Sequence, residues 1–225
     1  MITVDPRVME KFTDLRVILR LIEHLKVEVE EPELDRLRKE VEEEVRSRFK
    51  AEELKDLPVF RAYRDFFWKV GVDPTKVRPA AEALIRRTLV GKPVPRINTA
   101  VDAYNLASMK TGVALAAFDY AKIKGDLTLR FAKPGEEFLG IGMDRPRKLR
   151  GVEVVVADEE KLVAIYPYRD ADSSKVTLET DSIALLVCGV PGISLKELEE
   201  AERLAVDYII RFCGGEAGGR FVAPL

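Results

Sequence analysis

Apolar periodicity switches near Gly112, and that switch constrains the fold more than any single motif. Leu34, Leu37, Val41, Val45 and Phe49 recur at helical spacing between charged residues, the narrow stripe of a helix on the outside of a domain. Other helices are expected from Asp5-Pro6 to about Phe12, from Pro58 to Gly71, over Val77 to Val90, and from an Asn98 or Thr99 cap to Gly112. A proline or capping residue opens them or a glycine closes them. Beyond Gly112 the signal becomes short Val/Ile/Leu-rich runs with turn residues between them. They are Val113–Asp119, Leu127–Ala132, Val152–Asp158, Leu162–Tyr168 and Ile183–Val187. A Ser194 cap, with Glu197 at the capping-box position, opens a last helix to about Cys213. Gly214-Gly215 stops it, and the tail from Glu216 is expected to be loose. Arg16–Glu23 reads either as a strand or as a short buried helix. Helices, then strands, then one helix indicate α+β rather than alternating α/β.

The 225 residues can bury a sizeable core, and with no internal repeat or low-complexity linker they read as one compact unit. Charged residues make up 34% and glutamine is absent, a bias shared with thermophilic proteins. A net charge of −2 gives no global basic field, so DNA is not an expected partner. Arg145, Arg147, Lys148 and Arg150 form either a local patch for RNA or a solvated loop. Two cysteines and one histidine are too few for a Cys/His zinc site, and neither a metal nor a cofactor is expected. Cys188 reads as a small buried hydrophobe, and a Cys188–Cys213 disulfide stays open. The N-terminus has no signal-peptide pattern and no run is long enough to span a membrane, so a cytoplasmic protein is expected.

Polar residues around the switch carry the functional signal. Asn98, Asp102 and Asn105 are spaced i, i+4, i+7 and share one side of a helix. Asn98 either caps that helix or also lines a site. A buried Asp102 requires a paired cation or several donors, and Arg130 and Arg169 are the candidates for the charge. Asn105 is a poor mid-helix residue that either bonds a neighbouring loop or lines a cleft. Asp119 either makes an Asx turn into Tyr120-Ala121 or belongs to a site. Arg130 lies in an alternating strand. Arg169, Asp170, Ser173, Thr177 and Thr180 form the densest polar cluster, in a strand-end loop of the kind that carries function. Glu82 and Arg86 have the spacing of a surface ion pair. Phe60, Tyr63, Phe67 and Trp68 read as core, and His24 as a structural or surface residue.

In this order the motifs resemble a known family. They are Arg61-Ala62-Tyr63-Arg64, Glu82 to Arg87, Pro95-Arg96-Ile97-Asn98, Val101 to Asn105, Phe118-Asp119, Leu129 to Ala132, and Tyr168-Arg169-Asp170 followed by Thr177 and Thr180. The pattern resembles the B3/B4 domain of the phenylalanyl-tRNA synthetase β subunit, and more closely its free-standing relatives. The resemblance divides the chain into an N-terminal extension (1–57), the resembling region (58–190) and a C-terminal helix and tail (191–225). It implies interlocked α/β subdomains around a cleft that receives the aminoacylated 3′ end of tRNA, whose ester is cut by water. Without the synthetase's catalytic core the chain would act in trans, with a synthetase as a further possible partner. The implied site has Asp102 and Asp170 as catalytic groups. Asn98, Asn105, Asp119, Arg130, Arg169, Ser173, Thr177 and Thr180 are its substrate-binding groups.

Two departures bear on mechanism. The synthetase pattern has histidine where this chain has Ala116. An acidic residue usual after the Thr180 position is replaced by apolar Leu185, Leu186 and Val187. Hydrolysis must then rest on positioned water and hydrogen-bond donors acting on an activated ester. The rival readings are a non-catalytic module for an aminoacyl end, an amino acid or a synthetase, and a hydrolase or binder of small aminoacyl compounds.

Overall fold

The computed structural model describes residues 1–224. β1 (Ile2–Val4), α1 (Pro6–Lys11) and β2 (Val17–Glu23) open the chain, followed by α2 (Pro32–Arg48), α3 (Pro58–Lys69), α4 (Ala80–Leu89) and α5 (Thr99–Thr111). β3 (Ala114–Asp119), β4 (Leu127–Phe131), β5 (Glu137–Phe138) and β6 (Arg147–Lys148) come next. Then come β7 (Val154–Ala157), β8 (Leu162–Ile165), β9 (Arg169–Asp170), β10 (Ile183–Cys188), α6 (Leu195–Cys213) and β11 (Glu216–Ala223).

The strands form two main sheets. One has the order β1-β4-β7-β8-β9, with β1 parallel to β4 and the other pairs antiparallel. The other, β11-β2-β10-β3, is antiparallel throughout. β5 and β6 make a short ribbon. Every residue of β3 and β10 is buried, as their apolar runs require, Asp119 at the end of β3 included. α5 packs along α6, and α2 and α4 flank α5. The α+β expectation therefore holds, with helices and sheets sharing one large apolar cluster.

Local chemistry sets most boundaries. The Asn98 side chain accepts from Val101 N at the start of α5, and Gly112 ends that helix at φ 76°. Ser194 and Glu197 form the complete capping box of α6. Other expectations need correction. α4 starts at Ala80 rather than Val77, because Pro79 biases Arg78 away from helical backbone. The open reading of Arg16–Glu23 resolves to its strand alternative, β2, central in its sheet between β10 and β11. The expected loose tail is β11: it covers the edge that β2 would otherwise leave unpaired, with a bulge between Ala217 and Arg220 at Gly218-Gly219. Glu82, 2% exposed, pairs with Arg64 at 2.6 Å, whereas Arg86 donates to Ala51 O. Both cysteines are free and buried.

Tyr63 ties α3 to the second sheet. Its buried hydroxyl donates to Cys188 O at 2.6 Å and accepts from Ala114 N at 3.0 Å, at the last paired position of β3 and β10. Tyr63→Phe leaves both backbone groups without that partner. It is expected to cost about 1–3 kcal/mol in chemical denaturation.

Candidate functional site

β3 is an edge of one sheet and β9 an edge of the other, and a cavity of about 290 Å³ lies between them. α5 supplies Val101, Tyr104 and Asn105 to its wall, and β3 supplies Leu115, Ala116 and Ala117. The end of β8 and the chain after it supply Ala164, Ile165, Tyr166, Tyr168 and Asp170. Lys175 and Val176 close a further side, and the exposed Ile97 and Ile141 stand at its lip. β3 bonds β10 on one side only, so half of its backbone donors and acceptors point away from β10. None of Leu115, Ala116 or Ala117 makes a backbone bond outside that ladder.

On this largely apolar surface three polar groups lack partners. Among the described residues the Asp170 carboxylate, the Asn105 amide and the Tyr104 hydroxyl make no hydrogen bond. Asp170 keeps some accessible surface yet is surrounded by protein to the depth of an interior group, as befits a carboxyl on a cavity wall. Desolvation pushes its pKa up to about 7, against the opposing charge of Arg169. The Tyr104 hydroxyl is raised well above its ordinary value by burial, with the Asp170 charge as the next cause. Asp170 and Tyr104 are thus electrostatic neighbours across the cavity. Burial also raises the Cys188 thiol on the same wall.

The remaining candidates lie around this wall. Asp102, 4% exposed, pairs with Arg38 at 2.7 Å and accepts from Ile97 N at 3.0 Å. Neither Arg130 nor Arg169 supplies its cation: Arg130 is held by Glu136 at 2.7 Å, and Arg169 donates to Ile141 O. The pair also includes Arg38 donating to Pro95 O, so Asp102 fixes the loop that carries Ile97 to the cavity lip. Asn98 caps α5 and donates to Val176 O at 3.4 Å, tying a second wall in place. Asp119 makes the Asx turn with Ala121 N and accepts from Thr180, whose hydroxyl in turn accepts from Thr177 N. Lys122 sits 3.0 Å from Asp119 and donates to Lys175 O, so this network holds the Lys175–Val176 segment. Ser173 is exposed on a separate shallow groove beside β5.

Of the ten candidate residues, then, Asn105 and Asp170 border the cavity, and Asn98, Asp102, Asp119, Thr177 and Thr180 brace its walls. Arg169 holds Ile141 at the lip through its backbone carbonyl, and Arg130 and Ser173 point elsewhere. Sequence reasoning missed Tyr104, Tyr168 and Lys175. Val101, Tyr104 and Asn105 share the i, i+3, i+4 face of α5, a signal masked by the polar i, i+4, i+7 stripe. Among the described residues no three His, Cys, Asp or Glu gather as metal ligands. His24 is exposed beside Glu216. Among the described residues no helix is long and apolar enough to cross a membrane.

Comparison with known proteins places this geometry in a family. The B3/4 domain matches residues 62–214, which include all the cavity-wall residues named above. The phenylalanine–tRNA ligase β subunit of Nocardia farcinica is 35% identical over 115 residues, 51% of this chain and 13% of that protein. That of Protochlamydia amoebophila is 28% identical over 158 residues, 70% of this chain and 19% of the relative. This chain therefore spans a small part of the curated relatives it matches. The N-terminal fragment of the phenylalanyl-tRNA synthetase β subunit from Pyrococcus horikoshii superposes on 100% of this chain and 54% of its own, with TM-score 0.54 and 13% identity, a likeness of fold.

Proposed function

We infer, from the premise that this chain belongs to the B3/4 domain family, that its cavity takes the aminoacyl end of a mischarged tRNA and hydrolyses the ester in trans. The observation that carries the reading is the unpartnered Asp170 carboxylate on a largely apolar wall. An aminoacyl ester offers what that wall lacks. Its ammonium pairs with ionised Asp170, and its side chain lies against Leu115, Ala116, Ala164, Ile165 and Leu186. The Asn105 amide and the outward N–H groups of β3 are donors for the ester carbonyl. One donor aimed at the developing oxyanion contributes about 10²–10³ in rate. Water held beside the ester attacks the carbonyl, the acyl bond to the ribose oxygen breaks, and the adjacent ribose hydroxyl relays the water's proton to that departing oxygen. Tyr104 narrows the cavity beside Asp170, so the size of the amino-acid side chain sets selectivity. A methylene in such a pocket is worth about 10–200-fold.

The test is deacylation of correctly and wrongly charged tRNAs by the purified protein, with Asp170→Asn and Asn105→Ala variants. Selective release of one amino acid is expected, with kcat/KM falling about 10²-fold or more in Asp170→Asn and the wild-type rate rising with pH up to about 7 as Asp170 ionises. Ala116 favours one rival, because the position that holds histidine in the synthetase pattern lines the cavity with a methyl group. If no charged tRNA loses its amino acid in the presence of folded protein, a non-catalytic module binding the aminoacyl end, an amino acid or a synthetase becomes the better account.

A further inference from the structure

Tyr168 separates the cavity from a second groove of about 270 Å³, bordered by Gly71–Val77 on one side and by Arg147, Lys148 and Arg150 on the other. The carboxylates in this groove are already engaged. Glu153 accepts from Arg150 N and Nε, and Asp73 accepts from the backbone and hydroxyl of Thr75. The cations are not matched to them. Lys148 is exposed and has no ion-pair partner among the described residues, the same holds for Arg145 outside the groove lining, and Lys76 has only Asp73, at 3.9 Å. Arg147 donates from Nη2 to Tyr168 Oη at 2.7 Å and keeps its remaining donors exposed. Asp144 offsets one of these charges by its place in the sequence. The surplus is local, since the chain as a whole carries −2.

We propose that this groove and the Tyr168 ring seat the phosphates and a base of a single-stranded RNA 3′ end, so that the end turns past Tyr168 into the cavity. Among the described residues Arg147 and Lys148 have no carboxylate partner, and with the half-matched Lys76 and Arg150 beside them they suit a phosphate backbone. An aromatic ring with a guanidinium beside it, here Arg147 at 6.0 Å from the Tyr168 centroid, is a stacking platform for an unpaired base. The ring packs against Phe67 on its inner side and is half-buried, and an acidic protein segment would use the charges but make no use of the part left open to the groove. The direction of the RNA rests on the aminoacyl reading of the cavity, whereas the RNA contact does not.

The experiment measures binding of an uncharged RNA hairpin with a single-stranded 3′ end by fluorescence anisotropy across a salt series. It compares the wild-type protein, an Arg147→Gln/Lys148→Gln double variant and Lys148→Glu. All are surface substitutions, and thermal unfolding checks their folding. Wild-type affinity should fall steeply with salt. The double variant should bind about tenfold or more weakly at low salt, with the log–log slope flattened by about 0.7 for each phosphate contact removed. Turnover of a small amino-acid ester, which has no phosphates, should match wild type in Lys148→Glu, because Lys148 is no part of the cavity wall. Wild-type protein that does not bind the RNA, or variants that bind as wild type with the same slope, would overturn the proposal. Charge-sensitive RNA binding without deacylation of any charged tRNA would leave this surface standing and remove the hydrolytic reading of the cavity.

Discussion

Asp102→Ala is expected to lower the free energy of unfolding by about 3–5 kcal/mol, read from urea denaturation at neutral pH. Arg38 is 6% exposed and Asp102 4%, and the substitution leaves a buried guanidinium facing a void. Arg38 Nε already lacks a hydrogen-bond partner, so little around it can absorb the loss. Asp35, 3.4 Å from that nitrogen and less buried, retains part of the compensation, which places the effect nearer the lower figure. Two local groups lose with it: Ile97 N has no other acceptor, and the Pro95 carbonyl keeps a donor whose charge is no longer balanced. The same substitution would lower any activity, and alone it cannot distinguish chemistry from support. The Arg38→Met/Asp102→Leu pair does so. Replacing both charges by apolar groups of similar volume is often neutral in stability. A double variant that folds and retains activity within several-fold assigns Asp102 to holding the Pro93–Ile97 loop. A double variant that folds as wild type but is inactive would return Asp102 to the reaction.

That pair marks the boundary of what the sequence can reveal. Chemistry that closes within a few residues was legible: the Asn98 cap, the Asx turn of Asp119, the Gly112 stop and the Ser194 capping box all sit where their residue types require. Chemistry that depends on distant partners was not. Arg38 is 64 positions from Asp102, and no local rule prefers it over Arg130 or Arg169. Glu82 had a partner of good helical spacing in Arg86, yet burial beside α3 joined it to Arg64. β11 was hidden by its glycines, which weaken the strand signal in the segment whose pairing produces a bulge. The site divides along the same line. Asn105 and Asp170 were found because polar residues in those places needed explaining, whereas Tyr104 was missed because an aromatic residue in a helix is ordinarily core.

Asp170→Asn is expected to make the protein more stable at pH 8 while removing its function. In the folded protein Asp170 titrates near 7, against an ordinary value of 3.8. Between those values the folded state holds a proton that the unfolded chain releases. Wild-type stability therefore falls as pH rises from about 4 to about 7 and is level above it. At about 1.4 kcal/mol per pKa unit the whole interval corresponds to roughly 4 kcal/mol. The carboxyl keeps some accessible surface on the cavity wall, and solvent screening there reduces this to on the order of 2 kcal/mol. Asparagine occupies the same volume without charge, so the variant should gain that amount at pH 8 and almost nothing at pH 4, as paired denaturation curves would show. A cation in the cavity acts in the opposite sense: it draws the Asp170 pKa down, so binding of an amino-acid ester should strengthen with pH up to about 7 and vanish in the variant. Stability retained by a neutral wall and affinity gained from a charged one are then two outcomes of the same desolvated carboxylate. An Asp170→Asn protein that is less stable than wild type at pH 8 would mean that the carboxylate serves as a structural acceptor, and the cavity would lose its claim to an ammonium-bearing ligand.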